Sequence, residues 1–300
     1  MPDPKTNTTD DRRRLVIHIG YHRTGTSFLQ TELFALLGDL IPAPAVPKAR
    51  PIVDLCNRME PSTAVVTDDV VVYSNENLSG SFDTDRPELA AELRAVTGEA
   101  RIIMTIRSQY AIFKAFYFLY LKGGGCAGFA EFVGQRIGKV CNYYRLFQAY
   151  EKEYGKGSVL VLCQEDLLGD PMQSMTRVLD FIGVDRKFAE AVSIKLVKPS
   201  AQNSLLKIML LRNRLLKKLS PVMPDSPARR ILFHGVPGHR ILARLFGDAS
   251  AIAAMDPAMQ AEIQAMYGAD NSALFREAGI DQPGTVYPVE KVAPSLKAAE

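Results

Sequence analysis

The sequence predicts an α/β fold in which a parallel sheet is flanked by helices and followed by an all-helical C-terminal part. Three observations carry that prediction. Short apolar runs alternate with stretches of helical periodicity from Leu15 to Ile182, the order that lays parallel strands side by side with helices on both faces. The first apolar run passes through a glycine-bearing turn straight into a helix. Beyond residue 185 the strand-like runs stop and only helical patterns remain.

Taken in order, Leu15–Ile19 is the first strand and Ser27–Leu37 the first helix. Pro42, Pro44 and Pro47 mark an irregular loop, because proline lacks an N–H and fixes φ. Val70–Tyr73 is a second strand, turned at its end by Ser74, Asn75, Glu76 and Asn77. Pro87–Val96 is a helix and Arg101–Ile106 a third strand. Tyr110–Lys122 is an aromatic-rich helix stopped by Gly123–Gly125, since glycine ends a helix readily. Phe129–Ile137 and Tyr143–Tyr154 are helical, and Val159–Cys163 is the fourth strand. Asp170 and Pro171 are the N-cap and first residue of a helix to Ile182. Ser204–Leu219 carries a leucine-rich stripe at helical spacing, and helices near 239–246, 257–267 and 270–278 follow. Residues 15–291 therefore read as one domain, helical and basic from about 186, between polar tails at 1–14 and 292–300.

Composition narrows the function classes. Cys56, Cys126, Cys141 and Cys163 show no C-x-x-C spacing, and His18, His22, His234 and His239 form no zinc motif, so buried reduced thiols and no metal are expected. The opening MPDPKTNTTDDRRR has no apolar stretch of the kind found in a secretory leader, and no apolar run reaches the ~20 residues that cross a bilayer. A cytoplasmic protein is expected. The net charge of +3 conceals an asymmetry, because the stretch 195–244 holds eleven Lys or Arg against the single acid Asp225. Such a block suits an anionic partner. Peripheral contact with the inner face of a membrane is one expectation and a solvated helix face another; no nucleic-acid partner is expected.

The most informative segment is HIGYHRTGTSFLQ, residues 18–30. A strand, a tight turn and a helix start bring backbone N–H groups and the positive end of a helix dipole to one spot, a ready anion site. Gly20 and Gly25 would let the backbone approach an anion, with Tyr21, His22 and Arg23 between them. Thr24, Thr26 and Ser27 would add hydroxyl donors. The G-x-x-x-x-G spacing is P-loop-like, but a nucleotide triphosphatase needs Lys and then Ser or Thr directly after the second glycine. Thr26 and Ser27 stand there instead, and the basic residue is Arg23 inside the loop. At the carboxyl ends of later strands the same topology places Glu76 and Arg107.

Together these residues resemble the PAPS-dependent sulfotransferases, bacterial ones in particular, whose sheet is P-loop-like. PAPS is 3′-phosphoadenosine 5′-phosphosulfate. HIG-x-x-R-TGTS-x-LQ is similar to the family's 5′-phosphosulfate loop, and Arg23 in place of the commoner Lys resembles the carbohydrate sulfotransferases. Residues 102–124 resemble the 3′-phosphate segment, in which an Arg after the strand and a Ser eight positions on hold that phosphate. Arg107 matches the Arg; Ala115 departs from the Ser, leaving Ser108 or Lys114 to take its place. Residues 73–79, 159–171 and 269–288 are similar to the family's S-x-E-x-L turn, E-D-L-x-x-D-P segment and D-N-x-x-L … Y-P ending.

The resemblance implies transfer of a sulfuryl group from PAPS to a hydroxyl or amine, with release of PAP and without a metal. The acceptor would be a glycan, a glycolipid or other lipid-linked sugar, or a small metabolite. Arg23 would neutralise the leaving oxygen, while the Gly20–Ser27 loop, Arg107 and Ser108 would bind the donor. A hydroxyl acceptor needs a base within hydrogen-bond reach. A neighbouring guanidinium favours an ionised carboxylate over an imidazolium, which ranks Glu76 first and His22 second. Glu76 also fits a helix-capping or Arg-pairing carboxylate and His22 a loop-shaping or acceptor-contacting residue. His18 reads as a buried, hydrogen-bonded histidine, and Glu165 and Asp166 as residues that position a turn. Two rival readings stand beside this one: a P-loop kinase of a small molecule or nucleotide, and a non-enzymatic anion- or membrane-binding module built on the basic block.

Overall fold

The computed structural model describes residues 14–37, 39–42, 52, 63–66, 69–190, 203–219, 253–281 and 286–289. Six strands form one sheet: β1 (Arg14–His18), β2 (Asp39–Pro42), β3 (Thr63–Val66), β4 (Val70–Ser74), β5 (Arg101–Ile106) and β6 (Val159–Cys163). Their spatial order is β2-β3-β4-β1-β5-β6. β4, β1, β5 and β6 pair in parallel, whereas β2 and β3 pair antiparallel with each other and β3 antiparallel with β4. The parallel sheet is thus four strands wide, with an antiparallel edge that the proline-marked loop reading missed. β2 ends in Pro42 at the sheet's edge, where a missing N–H is tolerated.

Side chains alternate across the four parallel strands and build two cores. Leu15, Ile17, Val71, Tyr73, Ile102, Met104 and Val161 face one side. α2 (Leu89–Thr97), α3 (Gln109–Lys122), α5 (Tyr143–Tyr154) and α10 (Pro257–Glu277) cover that side. Val16, Val70, Val72, Ile103 and Leu162 face the other. The first helical run α1, made of Thr26–Phe28, Leu29–Phe34 and Ala35–Leu37, packs there with α7 (Pro171–Ile182). Strands buried on both faces read as continuous apolar runs, which is why the sequence located the parallel ones.

Short helices fill the remaining chain: α4 (Phe129–Gly134), α6 (Gln164–Gly169) and α8 (Lys187–Glu190). α7 begins as expected, with the Asp170 carboxylate accepting from the Gln173 N–H at 2.9 Å. The expected helices at 257–267 and 270–278 are one helix, α10. Gly268 does not break it: a Cβ there would meet Gln264 Nε2 at 2.6 Å and the Val289 backbone at 3.5 Å. Glycine serves close packing of the 286–289 segment. α9 (Asn203–Leu219) carries the described part of the basic block. Its Leu206, Leu210 and Asn213 are buried, while Lys207, Arg214 and Lys218 lie exposed beside Leu211 and Leu215. The helix expected near 239–246, and Lys198, lie outside the described residues, as do residues 1–13 and 292–300 of the expected tails; Arg14, expected in the first tail, instead opens β1.

Candidate active site

The loop between β1 and α1 sits where the carboxyl ends of β4, β1 and β5 converge. Two of its residues are left-handed, Arg23 at φ 68° and Gly25 at φ 89°. Glycine adopts that region freely, but arginine does so only when its surroundings hold it there. Here the Thr24 hydroxyl donates to the Tyr21 carbonyl at 2.5 Å, and Arg107 Nη1 donates to the Arg23 carbonyl at 3.2 Å. The latter contact joins the two arginines that sequence reasoning assigned to opposite ends of one ligand. Burial is the main force lowering the Arg107 pKa, and the Arg23 charge adds to it; Glu165 opposes both. A guanidinium so placed stays charged.

Gly25 is the N-cap of α1, and the first helical bonds run from Phe28 and Leu29 N–H to its carbonyl. The N–H groups of Thr26 and Ser27 precede that first bond and point out of the helix start, toward the loop mouth.

Several residues expected to bind the donor are turned elsewhere. Tyr21 is buried, with its ring edge-on to Tyr143 and its N–H donated to the Thr105 carbonyl at 3.1 Å. The Thr24 hydroxyl is fully buried and meets Thr105 Oγ1 at 2.7 Å. The Thr26 hydroxyl donates to Glu76. Among the three loop hydroxyl residues only Ser27 is exposed. Gly20 does not clear a path for an anion, because a Cβ there would collide with the Thr105 hydroxyl and meet His18 Nε2 at 2.9 Å. Ser108 is also buried, its hydroxyl donating to the Val286 carbonyl at 2.6 Å and its N–H to Glu165 at 3.1 Å. Ala115 lies two turns into α3 and Lys114 beside it is exposed.

Glu76 and His22, ranked as separate base candidates, touch each other. His22 Nδ1 lies 2.6 Å from Glu76 Oε2, with both side chains about one-fifth exposed. His22 Nε2 lies 3.0 Å from Asn77 Oδ1. A carboxylate oxygen accepts only, so His22 Nδ1 carries a proton toward Glu76 whenever Glu76 is ionised. Glu76 opens a short 3₁₀ turn, Glu76–Leu78, capped by Asn75 Oδ1 accepting from the Asn77 N–H at 2.9 Å.

Sequence reasoning missed a set of positioning residues around Arg107. Tyr143 donates its hydroxyl to the Arg107 carbonyl at 2.6 Å, and Tyr287 donates to Glu165 Oε2 at 2.7 Å. Gln109 and Asn271 exchange side-chain hydrogen bonds at 3.1 and 3.0 Å, and Asn271 also donates to the Pro288 carbonyl. The chain's D-N and Y-P residues thus clamp the start of α3. Asp85 accepts from the Cys141 and Asn142 N–H groups at 3.0 and 2.7 Å and so holds the start of α5, while its burial raises its pKa. Burial pushes the Cys163 thiol up to about 12 and that of Cys141 well above its usual value, which disfavours the nucleophilic thiolate.

His18 is buried as expected, and burial lowers its pKa to about 3. An unfolded histidine titrates near 6.5. The stabilisation from this group is therefore complete above pH ~6.5 and is lost progressively toward pH 3, at up to about 1.4 kcal/mol per pH unit. Urea unfolding at pH 7 and pH 5.5 should show a steeper loss for wild type than for His18→Gln. Equal losses would mean that His18 is protonated in the fold.

Among the described residues no cluster of His, Cys, Asp and Glu could hold a metal ion, and no helix is long and apolar enough to cross a membrane. A pocket of about 600 Å³ opens between Tyr120, Gly124–Ala127, Glu131, Gln135, Asn213 and Lys217. It adjoins the carboxyl end of α3, a helix length of about 20 Å from Arg107, so it is not the site of the loop.

A model of the sulfotransferase family matches residues 82–189. That stretch runs from the Gly80–Asp85 turn through Arg107, Glu165 and α7. No curated protein matches the chain. Among solved structures, a sulfotransferase from Alicyclobacillus acidocaldarius aligns with 73% of this chain and 99% of its own, at 16% identity and a TM-score of 0.42. A mouse sulfotransferase complexed with PAP aligns over 85% of this chain and 83% of its own, at 11% identity and a TM-score of 0.42. A sulfotransferase domain from the curacin biosynthetic pathway aligns over 90% and 99%, at 10% identity and a TM-score of 0.39.

Proposed function

We propose that the protein is a PAPS-dependent sulfotransferase that moves a sulfuryl group to a hydroxyl of a glycan, glycolipid or small metabolite and releases PAP. The observation that carries this reading is the Arg107–Arg23 contact at the mouth of the β1–α1 loop. Two permanent cations and a helix start converge there, which suits a donor bearing charge at both its 5′ and 3′ ends. The match to the sulfotransferase family model across residues 82–189 supports it.

In the step itself, the acceptor oxygen forms a bond to sulfur while the bond from sulfur to the bridging oxygen breaks. The electron pair leaves with PAP, and the acceptor's proton passes to the Glu76–His22 pair. As in phosphoryl transfer, the protein's share is positioning and charge stabilisation. Arg23 faces the developing charge on the bridging oxygen as a fixed cation. The Thr26 and Ser27 N–H groups hold the 5′-phosphate, and Arg107 takes the 3′-phosphate.

Ligand preference separates this reading from a kinase. PAP at 100 times its dissociation constant should stabilise the fold by about 2.7 kcal/mol, and ATP with magnesium far less. Equal stabilisation by the two would sink the proposal, and incubation with PAPS carrying labelled sulfate and an acceptor panel then identifies the product. Arg107→Ala should weaken PAP binding by about 1.5–3 kcal/mol, the range for hydrogen bonds to charged groups. Adenosine 5′-phosphosulfate lacks the 3′-phosphate and should lose much less. If calorimetry finds both ligands weakened alike, Arg107 acts only on the loop.

A further inference from the structure

Beneath the loop lies a row of polar side chains in an otherwise apolar core. Ser74, His18 and Thr105 stand on three adjacent strands, all on the face that packs against α1, with Ser74 in register with His18. Each is at most 2% exposed, and Thr24 above them is fully buried. We propose that His18 is a positioning residue for the anion loop, the centre of a one-way chain of hydrogen bonds that fixes the Thr24 hydroxyl beneath the Arg23 turn.

The direction of the chain follows from counting hydrogens. The Tyr21 carbonyl can only accept, so the single Thr24 hydroxyl hydrogen goes to it, at 2.5 Å. Thr105 must then be the donor in its 2.7 Å contact with Thr24 Oγ1. That uses the only Thr105 hydroxyl hydrogen, so in the 3.3 Å contact between His18 Nε2 and Thr105 Oγ1 the ring donates. Burial keeps the ring neutral, so Nδ1 is bare and accepts from the Ser74 hydroxyl at 2.8 Å. Ser74 in turn accepts from Gln30 Nε2 of α1 at 2.8 Å. Every group in the chain is satisfied in one direction only, and a buried network complete in this way is rigid. Gly20 belongs to the device, because any side chain there would occupy the space of Thr105 and His18 Nε2. The chain therefore ties α1, three strands and the Tyr21–Thr24 turn together, and leaves Arg107 as the second tie on the strained Arg23.

Only the ligand-binding arm of the test rests on the sulfotransferase reading. Ring nitrogen NMR of His18 at pH 7 should show a neutral imidazole protonated at Nε2. Thr105→Val interrupts the chain, and Thr105→Ser restores it. Thr97→Val is the control: it removes a hydroxyl that bonds to Leu93 and Tyr154, remote from the loop. Thr105→Val should weaken PAP binding on the order of tenfold to a hundredfold, the scale of a small misplacement of binding groups, and should speed amide exchange at residues 24–27. Thr105→Ser and Thr97→Val should change neither. A proton on Nδ1, an imidazolium, or identical binding and exchange in Thr105→Val and Thr97→Val would overturn the proposal. If wild type fails to bind PAP, the donor reading falls while the tautomer and the exchange rates still decide. If Thr105→Val fails to fold, the wild-type tautomer decides.

Discussion

Arg23→Ala is expected to lower turnover by roughly 10²- to 10³-fold, the cost of losing one preorganised charge-stabilising donor at a transition state. Two of the ties that hold the Arg23 turn survive the substitution. Both ties on the Arg23 turn engage backbone, since Arg107 bonds to the Arg23 carbonyl and Thr24 to the Tyr21 carbonyl. Alanine keeps a Cβ, as arginine does, so the left-handed conformation at φ 68° costs no more than before. What the substitution removes is the cation at the loop mouth. Arg23→Lys should retain much of the activity, because a point charge still meets the leaving oxygen although the planar fork is gone. The measurement is the rate of PAP release with an acceptor found by labelled-sulfate screening, beside a melting curve for each variant. Unchanged turnover in Arg23→Ala would remove the loop from the chemistry.

How much of this was legible in the sequence depends on which force fixed each feature. The four parallel strands announced themselves because both of their faces are buried, and their bounds fell within a residue or so of those read from the apolar runs. β2 and β3 did not, because each is only four residues long and β2 ends in a proline. Gly268 falls between the two helices read at 257–267 and 270–278, yet it lies inside α10, where its missing side chain is needed for packing. In the site, residue types and spacing located Arg23, Arg107, Glu76 and His22 at one end of the sheet. Side-chain direction was not legible. Thr24, Thr26 and Ser108 look like ligand hydroxyls in a list of loop residues, but each already donates inside the protein. The Thr26 and Ser108 bonds run to tertiary neighbours 50 or more residues away, Glu76 and Val286, and the Thr24 hydroxyl is also held by Thr105, 81 residues away; local spacing cannot supply these partners. The mutual contact of Glu76 and His22 was hidden for the same reason.

That contact sets the other large expected effect. Glu76→Gln and His22→Asn should each lower turnover roughly 10²-fold or more while PAP binding persists, in keeping with loss of general-base catalysis. The double variant should be little worse than the poorer single one, because residues acting as a unit are grossly non-additive. The reason is in the hydrogen bonds. Glu76 Oε1 is engaged by Thr26 and Oε2 by His22, while His22 Nε2 faces Asn77. An acceptor hydroxyl can therefore hand its proton to Glu76 directly, with His22 holding the carboxylate in place. The other route is to His22 Nε2, which requires that nitrogen bare and the acceptor hydroxyl in the place Asn77 Oδ1 now holds, with Glu76 stabilising the imidazolium that forms. On either route, removing one partner leaves the other misoriented or without its counter-charge. Single-turnover rates for wild type, both single variants and the double variant give the coupling. Losses that simply multiply in the double variant would show that the two side chains act separately. Full activity in Glu76→Gln together with a loss confined to His22→Asn would make Glu76 a cap of its own turn and nothing more.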